Sequence, residues 1–226
     1  MSRKEQWKEN AHLEKEKMKQ MSFKDKIWYI SEYYKFHIFG VLLAIGILGI
    51  IGNSIYRGTF NTELYVLYLN SRSDQELNTD LLTKDFYEHM GFTEKQEINT
   101  ESMYVSYGQD ATEFSYASMA KISALVASKD LDIMIQDTEN FNHYAELSGC
   151  ADLEQELPAD LLILLKDRLC YATDDTGAKK AYGISLADTQ FAEDSHLGMD
   201  PPIFTIVSNS MHKENSIALL RYIFVP

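Results

Sequence analysis

Between Phe36 and Tyr56 the sequence has no Asp, Glu, Lys or Arg over 21 consecutive positions. At 1.5 Å per helical residue such a run reaches roughly 31 Å, the thickness of a hydrocarbon core, and buried helices of soluble domains seldom go so long without a charge. Residues 36–56 therefore read as a transmembrane helix. Basic residues are scarce just after it, where only Arg57 lies close, whereas nine Lys and Arg precede it. Because basic residues favour the cytoplasmic flank, the expected topology is single-pass in the plasma membrane, with residues 1–35 cytoplasmic and 57–226 extracytoplasmic. A secretory signal peptide would put the C-terminal part on the same side. It fits less well, because the charged lead-in is long and Gly52-Asn53-Ser54-Ile55-Tyr56 lacks a small-x-small cleavage pattern.

Cysteine is nearly absent. Cys150 and Cys170 are the only two, and their spacing matches neither a metal site nor a redox CxxC pair. In an oxidising compartment they could close a loop of about 20 residues, worth roughly 3 kcal/mol by the chain-entropy model. Two unpaired thiols are the alternative reading. The six histidines never fall in HExxH or HxH spacing, and the outer region has no GxSxG, P-loop or GxGxxG. His143 with Asp137 and Glu139 comes nearest to a metal set, but reads better as a solvated helix start. Asp174-Asp175-Thr176-Gly177 lacks the alternating oxygens of a calcium loop and reads as a turn. No catalytic residue, metal or cofactor is expected.

Charge is unevenly divided. Residues 1–35 carry nine basic and six acidic side chains, and residues 57–226 carry twelve basic and 28 acidic, a net of −16. So acidic an outer region repels nucleic acid and anionic surfaces, which disfavours them as partners; solubility is the simpler reading of the same charge.

Along the chain, residues 1–20 are helix-forming but of mixed charge and read as a frayed helix or a disordered tail. Ser22 with Asp25 marks a helix start, and Phe23, Ile27, Ile30 and Tyr34 share one face. Trp28, Tyr29, Tyr33 and Tyr34 suit the membrane interface, so this segment reads as an interfacial helix running into the span. The outer region then alternates. Residues 63–70, 97–107 and 131–135 read as strands, and helices are expected from Asn78 to Gly91 and from 111 to 128, with Phe114, Ala117, Ile122 and Leu125 facing the core. Further helices are expected at 138–147 and after Pro158, then a hairpin across 169–186, a strand at 203–207 and a final helix striped by Ile217, Leu220 and Phe224. Strand-helix alternation implies an α/β domain with one mostly parallel sheet and helices on both faces.

Asp130-Leu131-Asp132-Ile133-Met134-Ile135 with Phe141, Tyr144 and Gly149, Ala181-Tyr182-Gly183-Ile184, and the segment Asn209 to Phe224 resemble the extracellular solute-binding proteins of ABC importers. Tyr33-Tyr34-Lys35-Phe36-His37 is similar to membrane-anchored Firmicutes proteins of unassigned role. The resemblance implies a single periplasmic-binding-protein type II-like lobe, since the chain is about half the length two lobes need. One lobe cannot close on a solute from both sides. The expected function is a non-enzymatic, membrane-anchored interaction protein of the cell envelope, with another envelope or transporter protein as partner. The alternative is a single-lobe solute- or peptide-binding module associated with a transporter. In that case a polar pocket belongs at the C-terminal ends of the strands, near Asn70, Gly108 and Gln136.

Overall fold

The computed structural model describes residues 3–225 and divides into two units, Met1–Thr59 and Phe60–Pro226.

The first unit is helical. α1 spans Arg3–Gln20, where a frayed or disordered tail was expected, and α2 runs unbroken through Phe23–Arg57. Ser22 starts α2 as expected: its Oγ accepts from Asp25 N at 3.3 Å and donates to the Asp25 carboxylate at 2.6 Å. The interfacial segment and the span are thus one helix. Lys35–Arg57 is long and apolar enough to cross a membrane. The side chains of Ile27, Ile30, Tyr33 and Tyr34, which carry the expected amphipathic face and part of the interfacial belt, lie outside the described residues.

The second unit is built on a six-stranded sheet of order β2-β1-β3-β6-β5-β4. Its strands are β1 Asn61–Leu69, β2 Gln96–Met103, β3 Ile133–Gln136, β4 Leu169–Thr173, β5 Lys179–Ser185 and β6 Ile203–Ile206. β1 pairs with β2 and β3 in parallel, as the helical crossovers demand. The other three pairings, β3 with β6, β6 with β5 and β5 with β4, are antiparallel. The expected mostly parallel sheet is therefore corrected to a mixed sheet that is mostly antiparallel. No helical crossover precedes β6. The chain reaches it from residues 186–202 and enters beside β3 from the opposite end.

Alternation along the strands sends side chains to two cores, one per face. Val66, Tyr68, Ile133, Ile135 and Phe204 pack under α7 (Ala159–Leu165) and α9 (Lys213–Phe224), together with a π-helical segment, Leu81–Phe86, that continues as α3 (Tyr87–His89). Leu67, Leu69 and Met134 pack under α4 (Glu113–Ser128) and α5 (Thr138–Glu146). Helices on both faces were expected. Of the face expected on α4, Ile122 is buried and Leu125 packs against the core, but Phe114 is 66% exposed, Ala117 is exposed, and Ser115 and Ser118 are buried instead. Ser115 Oγ accepts from Ser106 N at 3.2 Å, tying down the loop that enters the helix.

The β4–β5 hairpin turns on Asp174. Its Oδ1 accepts from the Thr176 hydroxyl at 2.6 Å and from the amides of Thr176 and Ala178, and its Oδ2 accepts from the Tyr182 hydroxyl at 2.9 Å. These donors, the Thr176 hydroxyl first, hold the carboxyl well below the usual carboxylate range. Residues 188–202, ahead of β6, hold a short helix, α8 (Gln190–Asp194), and dock on the loop after β1. There the Ser71 hydroxyl donates to Leu197 O at 2.6 Å and Asn78 N donates to Ser195 O at 3.1 Å.

Candidate functional site

Of the three residues expected at the C-terminal ends of the strands, Asn70 and Gln136 are buried and Gly108 is exposed. Asn70, in left-handed backbone at φ 62°, is buried and works as a tie. Its side chain exchanges hydrogen bonds with both backbone groups of Val105, at 2.8 and 3.0 Å, and donates to Asp137 at 2.9 Å. Gln136 is sealed inside the sheet and donates to the Thr205 hydroxyl at 3.0 Å, while its Oε1 has no partner. Gly108 is exposed, at φ 65°, at the start of a single 3-10 turn. Asp137 caps α5 through Asn140 N at 3.0 Å, and the His143 ring stacks 4.2 Å from the Tyr107 ring, so neither is arranged as a metal ligand. Among the described residues no group of three metal-ligating side chains comes together.

A broad cleft lies at the other end of the sheet. β2 accompanies β1 from Asn61 onward, but β3 joins only at Val66, so the first half of β1 has a strand neighbour on one side. An open-sided cleft of about 950 Å³ occupies this end. Glu63 and Tyr65 line it from β1, Lys129 and Asp130 from the loop after α4, and Met211 and His212 from the loop before α9.

Asp132 is the hub behind that cleft. It has no solvent-accessible surface, and its carboxylate collects three groups. Oδ1 accepts from the Ser210 hydroxyl at 2.6 Å, Oδ2 accepts from Tyr65 N at 2.8 Å, and His212 Nδ1 stands 3.2 Å from both oxygens. The backbone of Asp132 also bridges β1 and β6, donating to Tyr65 O and accepting from Val207 N. Both carboxylate oxygens are accepting, so the Nδ1 facing them carries a hydrogen. Nε2 is the other ring nitrogen, on a residue that lines the cleft, so the imidazole is oriented by the carboxylate. Ser210 donates to the carboxylate and accepts from His212 N at 3.1 Å, so its hydroxyl is committed away from the imidazole. The connectivity is not that of a nucleophilic triad, in which the serine hydroxyl meets the histidine.

The chain matches no family model, no curated protein and no solved structure. The resemblance to solute-binding proteins thus rests on the short motifs alone.

Sequence reasoning passed over this site because its members are about 80 residues apart and carry no motif. One signal was present: Asp132 is the single charge inside the apolar run Leu131 to Ile135. A buried charge must have partners, and these are the partners.

The two cysteines stand as free thiols, and the bridge considered from the sequence is not formed. Cys150 is enclosed, and burial pushes its thiol up to about 12. Cys170 is half-buried and is also raised by burial. Since the thiolate is the reacting form, iodoacetamide at pH 8 should label Cys170 at least about tenfold faster than Cys150 in the folded protein. After denaturation without reductant both should label fully. Mass spectrometry reads both outcomes, and a linked peptide pair would show that the thiols are bridged instead.

Proposed function

We propose that this chain is a non-enzymatic, membrane-anchored interaction protein of the cell envelope, whose α/β domain lies outside the cytoplasm and docks another envelope or transporter protein. The observation that carries the reading is the apolar helical segment Lys35–Arg57, uncharged from Phe36 to Tyr56, set between a basic segment and residues 57–226 of net charge −16. The site geometry supports docking over catalysis: the cleft is open-sided, and the Ser210 hydroxyl beside His212 is turned to Asp132.

The test uses the full chain in growing cells. A reporter active only in the cytoplasm, fused after Pro226, should be silent; an active reporter means the domain is on the inner side. A photo-crosslinking residue placed singly at Phe114, Ile163 or Met211, all well exposed, should give a discrete protein adduct from at least one position. No adduct from any of the three, with the fusion silent, removes the docking reading and leaves only the anchor.

A further inference from the structure

We propose that the cleft beside His212 receives a lysine- or arginine-bearing peptide segment of the partner protein, an assignment that rests on the docking reading above. The argument is one of hydrogen-bond sign. His212 is held by Asp132 through Nδ1, and its Nε2 has no hydrogen-bond partner among the described residues. Asp130 uses one oxygen to accept from the Ser128 hydroxyl, and Glu63 uses one to accept from Gln96 Nε2 at 2.8 Å. Each keeps a second oxygen.

The cleft is therefore rich in acceptors, and they sit on a domain whose overall field draws cations toward it. The Tyr65 ring and the Met211 thioether, the latter on a residue 68% exposed, suit the apolar stem of a lysine or arginine, whose head would reach the carboxylates. At about 950 Å³ the cleft is at the upper end of the range for small-molecule sites, yet it is open-sided. It would leave a small amine largely in water but can seat several residues of a chain.

Lys129 is the opposing feature. It lines the same cleft, in left-handed backbone at φ 64°, and has no carboxylate partner among the described residues. A bound cation would lie near it. Exchanging that one charge should therefore strengthen binding, which a purely structural cleft would not show.

The experiment uses the full chain in nanodiscs of phosphatidylcholine, which has no net charge to attract a peptide. The probe is a fluorescent, end-blocked heptapeptide of alternating alanine and lysine, read by anisotropy at low salt, with the glutamate counterpart as comparison. The lysine peptide should bind and the glutamate peptide should not. Asp130→Asn and His212→Phe should each weaken binding about three- to fivefold, and Lys129→Glu should tighten it by a similar factor. Because His212→Phe removes a partner of a buried carboxylate, its melting curve is taken alongside, and Asp130→Asn stands as the independent variant. Asp188→Asn with Glu193→Gln, at a separate depression, should leave binding unchanged.

Equal weakening by the Asp188 and Glu193 changes would reduce the effect to diffuse charge and overturn the site. So would a Lys129→Glu variant that binds no better than the parent. Displacement by equimolar spermidine would identify a small polyamine as occupant and overturn the peptide. Absent peptide binding together with crosslinks from Phe114 or Ile163 would overturn this assignment and leave the docking reading standing.

Discussion

Asp132→Ala is expected to destabilise the domain of residues 60–226 by about 3–5 kcal/mol. The loss of the carboxylate strands the Tyr65 amide, the Ser210 hydroxyl and His212 Nδ1, and the first two lie where no water reaches Asp132. Each buried group left without its partner costs about 1–3 kcal/mol, so the stranded donors together account for a loss of this size. For a domain of this size, each kcal/mol lowers the melting temperature by about 2–4 °C, so a fall of about 6–20 °C should be seen by near-ultraviolet circular dichroism of the full chain in detergent. Asp132→Asn retains an acceptor and should lose roughly half as much. A fall of under about 3 °C for the alanine variant would mean that the three donors find other acceptors and that Asp132 is no hub.

Gly198→Ala is expected to have an effect of similar size for a different reason. Gly198 has φ 60°, and a Cβ built there would lie 2.3 Å from Ser73 N and 2.6 Å from Arg72 C. Those atoms are backbone and cannot rotate aside. The left-handed conformation costs a residue with a Cβ about 1–2 kcal/mol, and forced overpacking adds about 1–3 kcal/mol. Together roughly 3 kcal/mol should be lost, and amide exchange should quicken first along residues 71–78 and 195–199, where the two loops are tied. Gly177→Ala is the comparison: its φ is 81° but nothing lies within 4 Å of its added Cβ, so it should lose only the conformational part. Equal losses for the two would show that the contact with Arg72 and Ser73 contributes nothing.

The features legible in the sequence were the local ones. The apolar run of β1, the Ser22 cap, the Asp137-capped helix α5 and the hairpin around Asp174 each follow from residues within a few positions of one another. The uncharged span is the extreme case. What eluded sequence reasoning depends on pairing at a distance. Nothing in Ile203 to Ile206 states which neighbour it will take or in which direction, so the sheet was read as mostly parallel. The α4 face was misjudged in part because apolar periodicity pointed to Phe114, whereas Ser115 and Ser118 are the buried positions, Ser115 being tied to Ser106 and Thr112 at the helix start. The site was sought at the strand ends where parallel sheets usually bind ligands. In this domain Asn70 and Gln136 are consumed there by internal hydrogen bonds, and the gap opens instead where β3 starts late beside β1.

The central position of β6 also sets the order in which the domain can be completed. Ribosomes deliver the chain from the N-terminus, so β1, β2 and β3 emerge together and can pair at once, while the strand that must lie beside β3 comes some 70 residues later, with Ile206 opposite Ile133. Until then the nascent sheet has an open edge of Ile133, Met134 and Ile135, a stretch well suited to unwanted pairing. The β4–β5 hairpin cannot take its place in the sheet either, because its only link to β3 runs through β6. A chain stopped between residues 186 and 202 thus holds two unjoined half-sheets on one tether, a natural substrate for quality-control proteases, until β6 joins them.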